Sequence, residues 1–238
     1  MNETEDKDIY KQNASDLRDF GVDQREFEDF TEGTKAFKSA INEWEDQNPD
    51  KRTEIIIAGA TATGKDTFIS KLEFDPDDTT QLSLDRYYLG AELMKKKYDY
   101  VNFSIPEALD RERINRDIEN IRNAKEGDKV SVPIYNMKES KRTGEELITV
   151  KKRLIVEGVY GIDQFDSDSP LKAYLQTDDG VILQRKLNRD VKERNVPKET
   201  VIKRFNDNVL PAIRNYVEPQ RDKARIVIKN NEDLEEYR

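Results

Sequence analysis

The stretch IIIAGATATGKD, residues 55–66, narrows the fold more than any other part of the chain. A short β-branched apolar run reads as a buried strand. Here it enters a loop framed by Gly59 and Gly64, with small residues between them, and Lys65 then opens a helical pattern. This is the spacing of a phosphate-binding loop, G-x-x-x-x-G-K-[ST]. Glycines let the backbone wrap close to a phosphate with its N–H groups turned inward. The helix N-terminus adds a positive dipole end, and the lysine adds a mobile charge. Alone the pattern is moderately specific; between a buried strand and a helix it is strong. Gly59, Ala60, Thr61, Ala62, Thr63, Gly64, Lys65, Asp66 and Thr67 form the candidate nucleotide-binding set.

The last position of the pattern departs from it. Asp66 stands where a hydroxyl ordinarily holds Mg2+. A carboxylate suits a hard cation, so Asp66 can replace the hydroxyl as a ligand. It can equally repel the phosphates and impair the site. An acid is also favourable in the first turn of any helix. Thr67 lies about 100° further round the helix and reaches the same metal only with a shifted loop.

The rest of the body alternates in type. Residues 81–85, 153–158, 172–178 and 224–229 read as strands beside 53–60, and residues 106–125, 181–194 and 199–217 read as helices. Residues 129–135 and 146–152 flank a turn-like KRTGE and read as a small β-hairpin excursion. The expected fold is therefore α/β: three α/β/α layers, a mostly parallel five-stranded sheet, the hairpin and a helical lid. Residues 1–50 read as an acidic, helical N-terminal extension and residues 51–238 as the phosphate-loop domain, with Asn48-Pro49-Asp50 at the boundary. Phe27, Phe30, Phe37, Ala40, Ile41 and Trp44 give the extension one apolar stripe. It is either a solvated arm with one docked helix or a segment that binds a partner or a second copy.

Charge and composition exclude several classes. Of 50 Asp+Glu and 41 Lys+Arg, 15 acids and 6 bases fall in residues 1–50, leaving 35 of each in the body. A nucleic-acid binder would carry a basic surplus, so none is expected. No apolar run approaches the ~18 residues of a membrane span, and the acidic start is no signal or transit peptide. The chain has no cysteine and no histidine. Disulfides, thiol catalysis and a Ser-His-Asp triad are excluded, a cytoplasmic setting is expected, and acid–base chemistry falls to carboxylates, Lys or Tyr.

A phosphoryl-transfer site also needs a metal anchor, a base, cations for the moving phosphate and an acceptor pocket. Asp85 and Glu157 end two strands at the carboxyl edge of the sheet, where parallel α/β folds bind ligands. Asp85 can take a proton from the acceptor, and Glu157 can hold metal through water. Arg185, Arg189 and Lys192 share one helical face as lid cations, although Lys186–Asp190 and Arg189–Glu193 have the spacing of surface pairs. Tyr87, Tyr88, Phe103 and Tyr135 lie where they can line an acceptor pocket or simply pack.

Together these pieces resemble the uridine kinase / phosphoribulokinase family of P-loop kinases, in seven ordered segments from about residue 54 to 229. GATATGKD resembles the family's phosphate loop, and SLDRYY its S-x-D-x-[FY]-Y, which implies that Asp85 is the catalytic base. NFSIPEALD resembles N-F-D-H-P-D-A-F-D, and VPIYNMKESKR resembles V-P-x-Y-D-F-x-x-H-x-R. LIVEGVYG resembles V-x-x-E-G-I, implying metal association for Glu157. RKLNRDVKERN resembles the lid R-R-x-x-R-D-x-x-E-R-G, and YVEPQRDKARIVI the closing F-I-E-P-x-K-x-x-A-D-x-I-I.

Lys65, Asp85, Glu157, Arg189 and Arg194 match the phosphate side of that pattern. The acceptor side departs: Ser104 and Ile105 replace Asp and His, Ser140 replaces a His, Lys186 replaces the second lid Arg and Asn195 the lid Gly. A neutral serine does not accept two ribose hydroxyls as a carboxylate does. The resemblance implies a kinase using ATP, or another nucleoside triphosphate, with Mg2+ near Asp66, Thr67, Glu157 and Asp85. Lys65, Asp85, Arg189 and Arg194 are its expected catalytic residues. The acceptor is a small molecule with a hydroxyl, nucleoside or related metabolite, met by Tyr88, Phe103, Ser104, Tyr135, Ser140, Arg142 and Lys186. A homo-oligomer is compatible with this reading. The competing expectation is a catalytically impaired nucleotide-binding pseudokinase whose N-terminal arm engages a partner.

Overall fold

The computed structural model describes residues 24–165 and 167–232. Its strands are β1 (Arg25–Phe27), β2 (Thr53–Gly59), β3 (Thr79–Ser83), β4 (Lys129–Asn136), β5 (Lys141–Thr149), β6 (Arg153–Gly158), β7 (Lys172–Gln176) and β8 (Ile226–Lys229). Six of them form one parallel sheet in the order β1-β8-β7-β2-β6-β3. β4 and β5 pair separately as an antiparallel hairpin.

The sheet thus has six strands, not the five expected. The sixth, β1, is only three residues long and pairs with β8 through Arg25↔Ile226 to Phe27↔Ile228. So short a strand has no periodicity to read, and only its partner defines it.

The helices are α1 (Phe30–Gln47), α2 (Lys65–Leu72), α3 (Ala91–Tyr98), α4 (Arg111–Asn123), α5 (Gly161–Gln164), α6 (Asp179–Lys192) and α7 (Lys198–Arg204). In β2 the side chains alternate between two cores. Ile55 and Ile57 face α1 and α2, meeting Phe30, Phe37, Ile41, Phe68 and Leu72. Ile56 and Ala58 face the opposite core, with Ile114, Ile118, Ile182 and Phe205. Both faces of a parallel sheet are covered, which is why its strands read as continuous apolar runs.

α1 is seated on this sheet. Asp29 caps it by accepting from the Glu32 amide at 2.7 Å. Phe30, Phe37 and Ile41 are buried, and burying each such side chain contributes about 1.5–3 kcal/mol. A Cβ on Gly33 would stand 2.8 Å from Ile228, so the glycine lets α1 approach β8. Glu45 receives two hydrogen bonds from Arg153, at 2.6 and 2.7 Å, and one from Thr53 at 2.8 Å. Residues 25–47 are therefore built into sheet and core. The rest of the acidic stretch, residues 1–23, lies outside the described residues.

Two expected helices are interrupted. In 106–125, Pro106–Ala108 is a single 3-10 turn, and Asp110 then caps α4 by accepting from the Arg113 amide at 3.1 Å. Bonds from Leu89 N–H to Ala108 and from Asp110 N–H to Tyr87 pull the chain out of the helix between them. In 199–217, α7 continues through two wide π-type turns, Phe205–Val209 and Ile213–Val217. Between them Pro211 cannot donate to the preceding turn. α3 had no clear sequence signal. Among the described residues no helix is long and apolar enough to cross a membrane.

Candidate active site

Parallel order places the carboxyl ends of β2, β3 and β6 side by side. Ala58 pairs with Gly158, and Ser83 with Glu157. Above these ends lies a cavity of about 1730 Å³ between the β2–α2 loop, the 3-10 turn Leu84–Tyr87, and helices α6 and α7.

The loop from Ala60 to Gly64 curls tightly. Thr63 is buried, and its hydroxyl donates to the Ala60 carbonyl at 2.9 Å. Gly64 begins α2 at φ 88°, and a Cβ there would stand 2.5 Å from the Asn230 side-chain nitrogen. Ala62 adopts φ 62°, a conformation an L-residue holds only when its surroundings fix it. The Lys65 ammonium folds back on the loop, donating to the Gly59 and Ala60 carbonyls at 3.2 and 3.3 Å. Ala60, Thr61, Ala62, Gly64, Lys65, Asp66 and Thr67 line the cavity; Gly59 and Thr63 shape the loop from behind.

Asp85 does not end the strand as expected: β3 stops at Ser83, and Asp85 sits in the 3-10 turn Leu84–Tyr87, where the Ser83 hydroxyl accepts the Asp85 amide at 3.3 Å. Burial pushes the Asp85 carboxyl above the ordinary carboxylate range. Lys65 draws it down, Asp66 pushes it further up, and Arg189 and Arg194 draw it down. Burial raises Glu157 likewise, opposed by Lys65 and by its hydrogen bond with Ser83. Asp85, Glu157, Asp66 and Lys65 thus share one electrostatic environment, and all four line the cavity. Asp66 is exposed at the start of α2.

Asp190 organises the lid. It is buried, and Lys186, Arg189 and Arg194 approach it at 3.2, 2.8 and 3.3 Å. Burial opposes its ionisation, but the Arg189 and Lys186 contacts outweigh this and hold its carboxyl below the ordinary range. Burial also lowers the Lys186 ammonium. Arg185, expected with these cations, points elsewhere: it donates to the Ala62 carbonyl at 3.1 Å and to the Asn230 side chain at 3.3 Å. Lys192 lines the cavity and is exposed. Asn195 sits at φ 53°, the left-handed region that suits glycine or asparagine, so it can do the backbone work of the glycine in the lid pattern.

On the acceptor side Tyr88 packs against Phe103 edge-on, with centroids 5.6 Å apart, and against Tyr135 at 5.7 Å. Burial pushes the Tyr135 hydroxyl up to about 12 and raises that of Tyr88 as well. Ser104, Ser140 and Lys186 line the same cavity. Arg142 does not. Its guanidinium meets the Asp110 carboxylate at 2.9 Å and the Tyr87 carbonyl at 3.1 Å, so it braces the wall from outside.

Sequence reasoning missed Asn230 and Tyr160. The Tyr160 hydroxyl donates to the Ser104 carbonyl at 2.5 Å and fixes that part of the wall. Asn230 directly follows β8 at its carboxyl end. The rule that α/β sheets bind ligands at those ends was a signal available for it.

Comparison with known proteins finds relatives in both sequence and fold. The sequence matches the Phosphoribulokinase / Uridine kinase family over residues 55–235. It is 31% identical to the uridine kinase of Ureaplasma parvum serovar 3 over 185 residues, 75% of this chain and 88% of that one. It is 30% identical to the uridine kinase of Clostridium novyi (strain NT) over 179 residues, 72% of this chain and 84% of that one. Two solved structures share the fold. One, described as a fructose transport system kinase from Silicibacter sp. TM1040, has a TM-score of 0.65 at 18% identity and covers 82% of this chain and 98% of its own. The other, D-glycerate 3-kinase from Cryptococcus neoformans, has a TM-score of 0.56 at 13% identity and covers 80% and 89%.

Proposed function

The chain belongs to the phosphoribulokinase / uridine kinase family and is an ATP-dependent small-molecule kinase; we propose that it moves the γ-phosphate of ATP to a hydroxyl of a nucleoside or a related neutral metabolite. The observation that carries this reading is the gathering of Lys65, Asp85, Glu157 and the lid cations around one cavity with an aromatic flank. Among the cavity's acceptor-side residues, Tyr88, Phe103 and Tyr135 suit a planar ring. Of the two cations expected there, Arg142 is committed to Asp110 and Lys186 to Asp190. Both features favour a neutral aromatic acceptor over a sugar phosphate.

In this reading Lys65 leaves the loop carbonyls and meets the outer phosphates, together with the amides at the start of α2. Arg189 and Arg194 leave Asp190 and close over the γ-phosphate, excluding water that would otherwise hydrolyse ATP. Asp85 orients the acceptor hydroxyl and receives its proton on a carboxylate oxygen.

The donor set fits Mg2+. Among the described residues no three His, Cys, Asp or Glu side chains form a self-contained metal cage. Mg2+ beside a nucleotide is ordinarily held by one or two carboxylates, with phosphates and waters completing its shell. Asp66 or Thr67 with Glu157, and Asp85 behind them, would supply that oxygen set. The ion, when bound, neutralises charge on the phosphates. Replacing the Asp66 carboxylate tests this: Asp66→Ala is expected to raise the half-saturating Mg2+ concentration by about tenfold or more. An unchanged Mg2+ dependence would assign Asp66 to the helix N-terminus alone.

The acceptor class is tested with γ-labelled ATP and a panel of nucleosides, sugars and hydroxy acids. The expected product is a labelled nucleoside monophosphate. Label passing only to sugars or hydroxy acids would move the acceptor to another class, and ATP binding without transfer to any acceptor would make the chain a pseudokinase.

A further inference from the structure

The back of the phosphate loop is held by two residues that come from distant parts of the chain. The Asn230 side-chain N–H donates to the Thr63 carbonyl at 2.8 Å. Arg185, from α6, donates to the Ala62 carbonyl at 3.1 Å and to the Asn230 side-chain oxygen at 3.3 Å. Asn230 is itself fixed at both backbone groups: its N–H donates to the Gln176 carbonyl at 2.8 Å, and its carbonyl accepts from the Thr177 hydroxyl at 2.9 Å. It is 1% exposed, and Gly64 leaves the space into which its carboxamide fits.

These bonds fix the direction of the loop's own donors. A trans peptide is planar, with C=O and N–H pointing opposite ways. Holding the Ala62 and Thr63 carbonyls from behind turns the Thr63 and Gly64 N–H groups away from Asn230 and Arg185, toward the concave side of the loop. Those are the donors an anion would use. The same clamp sustains the left-handed conformation of Ala62, which is unfavourable for an L-residue left to itself.

We infer that Asn230 is a positioning residue for phosphotransfer, clamping the loop carbonyls with Arg185 so that the loop amides are aimed at the nucleotide phosphates before ATP arrives. It touches neither substrate nor reacting atoms and acts through peptides 62–64. A second consequence follows from Arg185: it ties the lid helix to the loop both directly, at the Ala62 carbonyl, and through the Asn230 carboxamide, so disturbing Asn230 loosens the loop without removing any lid cation. This inference rests on the nucleotide-binding reading above.

The test compares the full-length wild type with Asn230→Asp and Asn230→Ala. Asn230→Asp keeps the size and the acceptor for Arg185 but has no donor for the Thr63 carbonyl. ATP affinity is measured calorimetrically without acceptor, alongside the thermal transition and the KM of each substrate. Leaving a buried carbonyl unpaired is expected to weaken ATP binding about ten- to a hundredfold in both variants. The acceptor KM is expected to stay within about twofold, and the aspartate variant to keep a cooperative transition. Wild-type ATP affinity in Asn230→Asp would overturn the inference. So would loss of affinity only together with loss of the folded transition in both variants, which would make Asn230 a folding residue. A wild type that binds no ATP would overturn the nucleotide reading itself, and is thereby distinguished from failure of the clamp alone.

Discussion

Asp85→Asn is expected to lower kcat by about 10²–10⁴-fold, the range attributable to a positioned general base, while ATP affinity remains near that of the wild type. The amide has nearly the same shape and sits in the same turn after β3, but it cannot take a proton at neutral pH. Stability moves the other way. Burial raises the Asp85 carboxyl, so the folded chain binds its proton more tightly than the unfolded chain does. Ionising it as pH rises through the ordinary carboxylate range therefore costs stability, a cost absent below that range and absent in the amide. A thermal midpoint equal to or above the wild type's, with transfer lost, is the expected pair of results. A variant with lowered stability and unchanged turnover would contradict both parts.

Lys65→Met is the second large effect. The methionine keeps the unbranched stem and leaves the loop otherwise intact, but removes the ammonium that now bonds Gly59 and Ala60. Loss of one preorganised charge at a developing oxyanion typically lowers the rate by about 10²–10³-fold. The same order of loss is expected here in kcat/KM for ATP. Arg189 and Arg194 do not compensate, because in the proposed mechanism they already meet the γ-phosphate in the wild type and supply no replacement charge. A loss confined to the acceptor KM would place Lys65 outside the phosphate subsite.

What could be read from sequence and what could not follow from the range of the interactions. β2, β6 and β8 were legible because a strand buried on both faces leaves a β-branched run such as IIIA, LIV or IVI. The phosphate loop and Glu157 were legible because each follows such a run; Asp85 was legible from the SLDRYY segment after the half-buried β3. β1 was not, since three residues acquire a conformation only through β8. Residues 199–217 read as one helix, and the wide turns on either side of Pro211 left no periodicity by which to foresee them. Arg185 and Arg189 lie four apart and share a face, yet one bonds the loop and the other Asp190. Helical spacing gives a face but not the partner waiting there. Arg142 is the same lesson on the acceptor side: its motif placed it in the pocket, and Asp110 drew it behind the wall.

The same local reasoning resolves part of the puzzle set by the altered motifs. Asn195 takes the left-handed backbone of the glycine it replaces, so that departure leaves the lid's geometry intact. Ser104 and Ser140 do face the cavity, and they change its chemistry by removing a carboxylate and an imidazole from it. In the proposed reading, the departures bear on which hydroxyl is phosphorylated more than on whether ATP is bound.

The most direct measurement of the central claim follows the γ-phosphate itself. Wild type and Asp85→Asn are incubated with γ-labelled ATP, Mg2+ and a nucleoside panel, and the labelled products are separated. The wild type is expected to give a labelled nucleoside phosphate ester, and the variant to leave the label in ATP. Label released only as inorganic phosphate, or an equal yield of ester from both proteins, would contradict that claim.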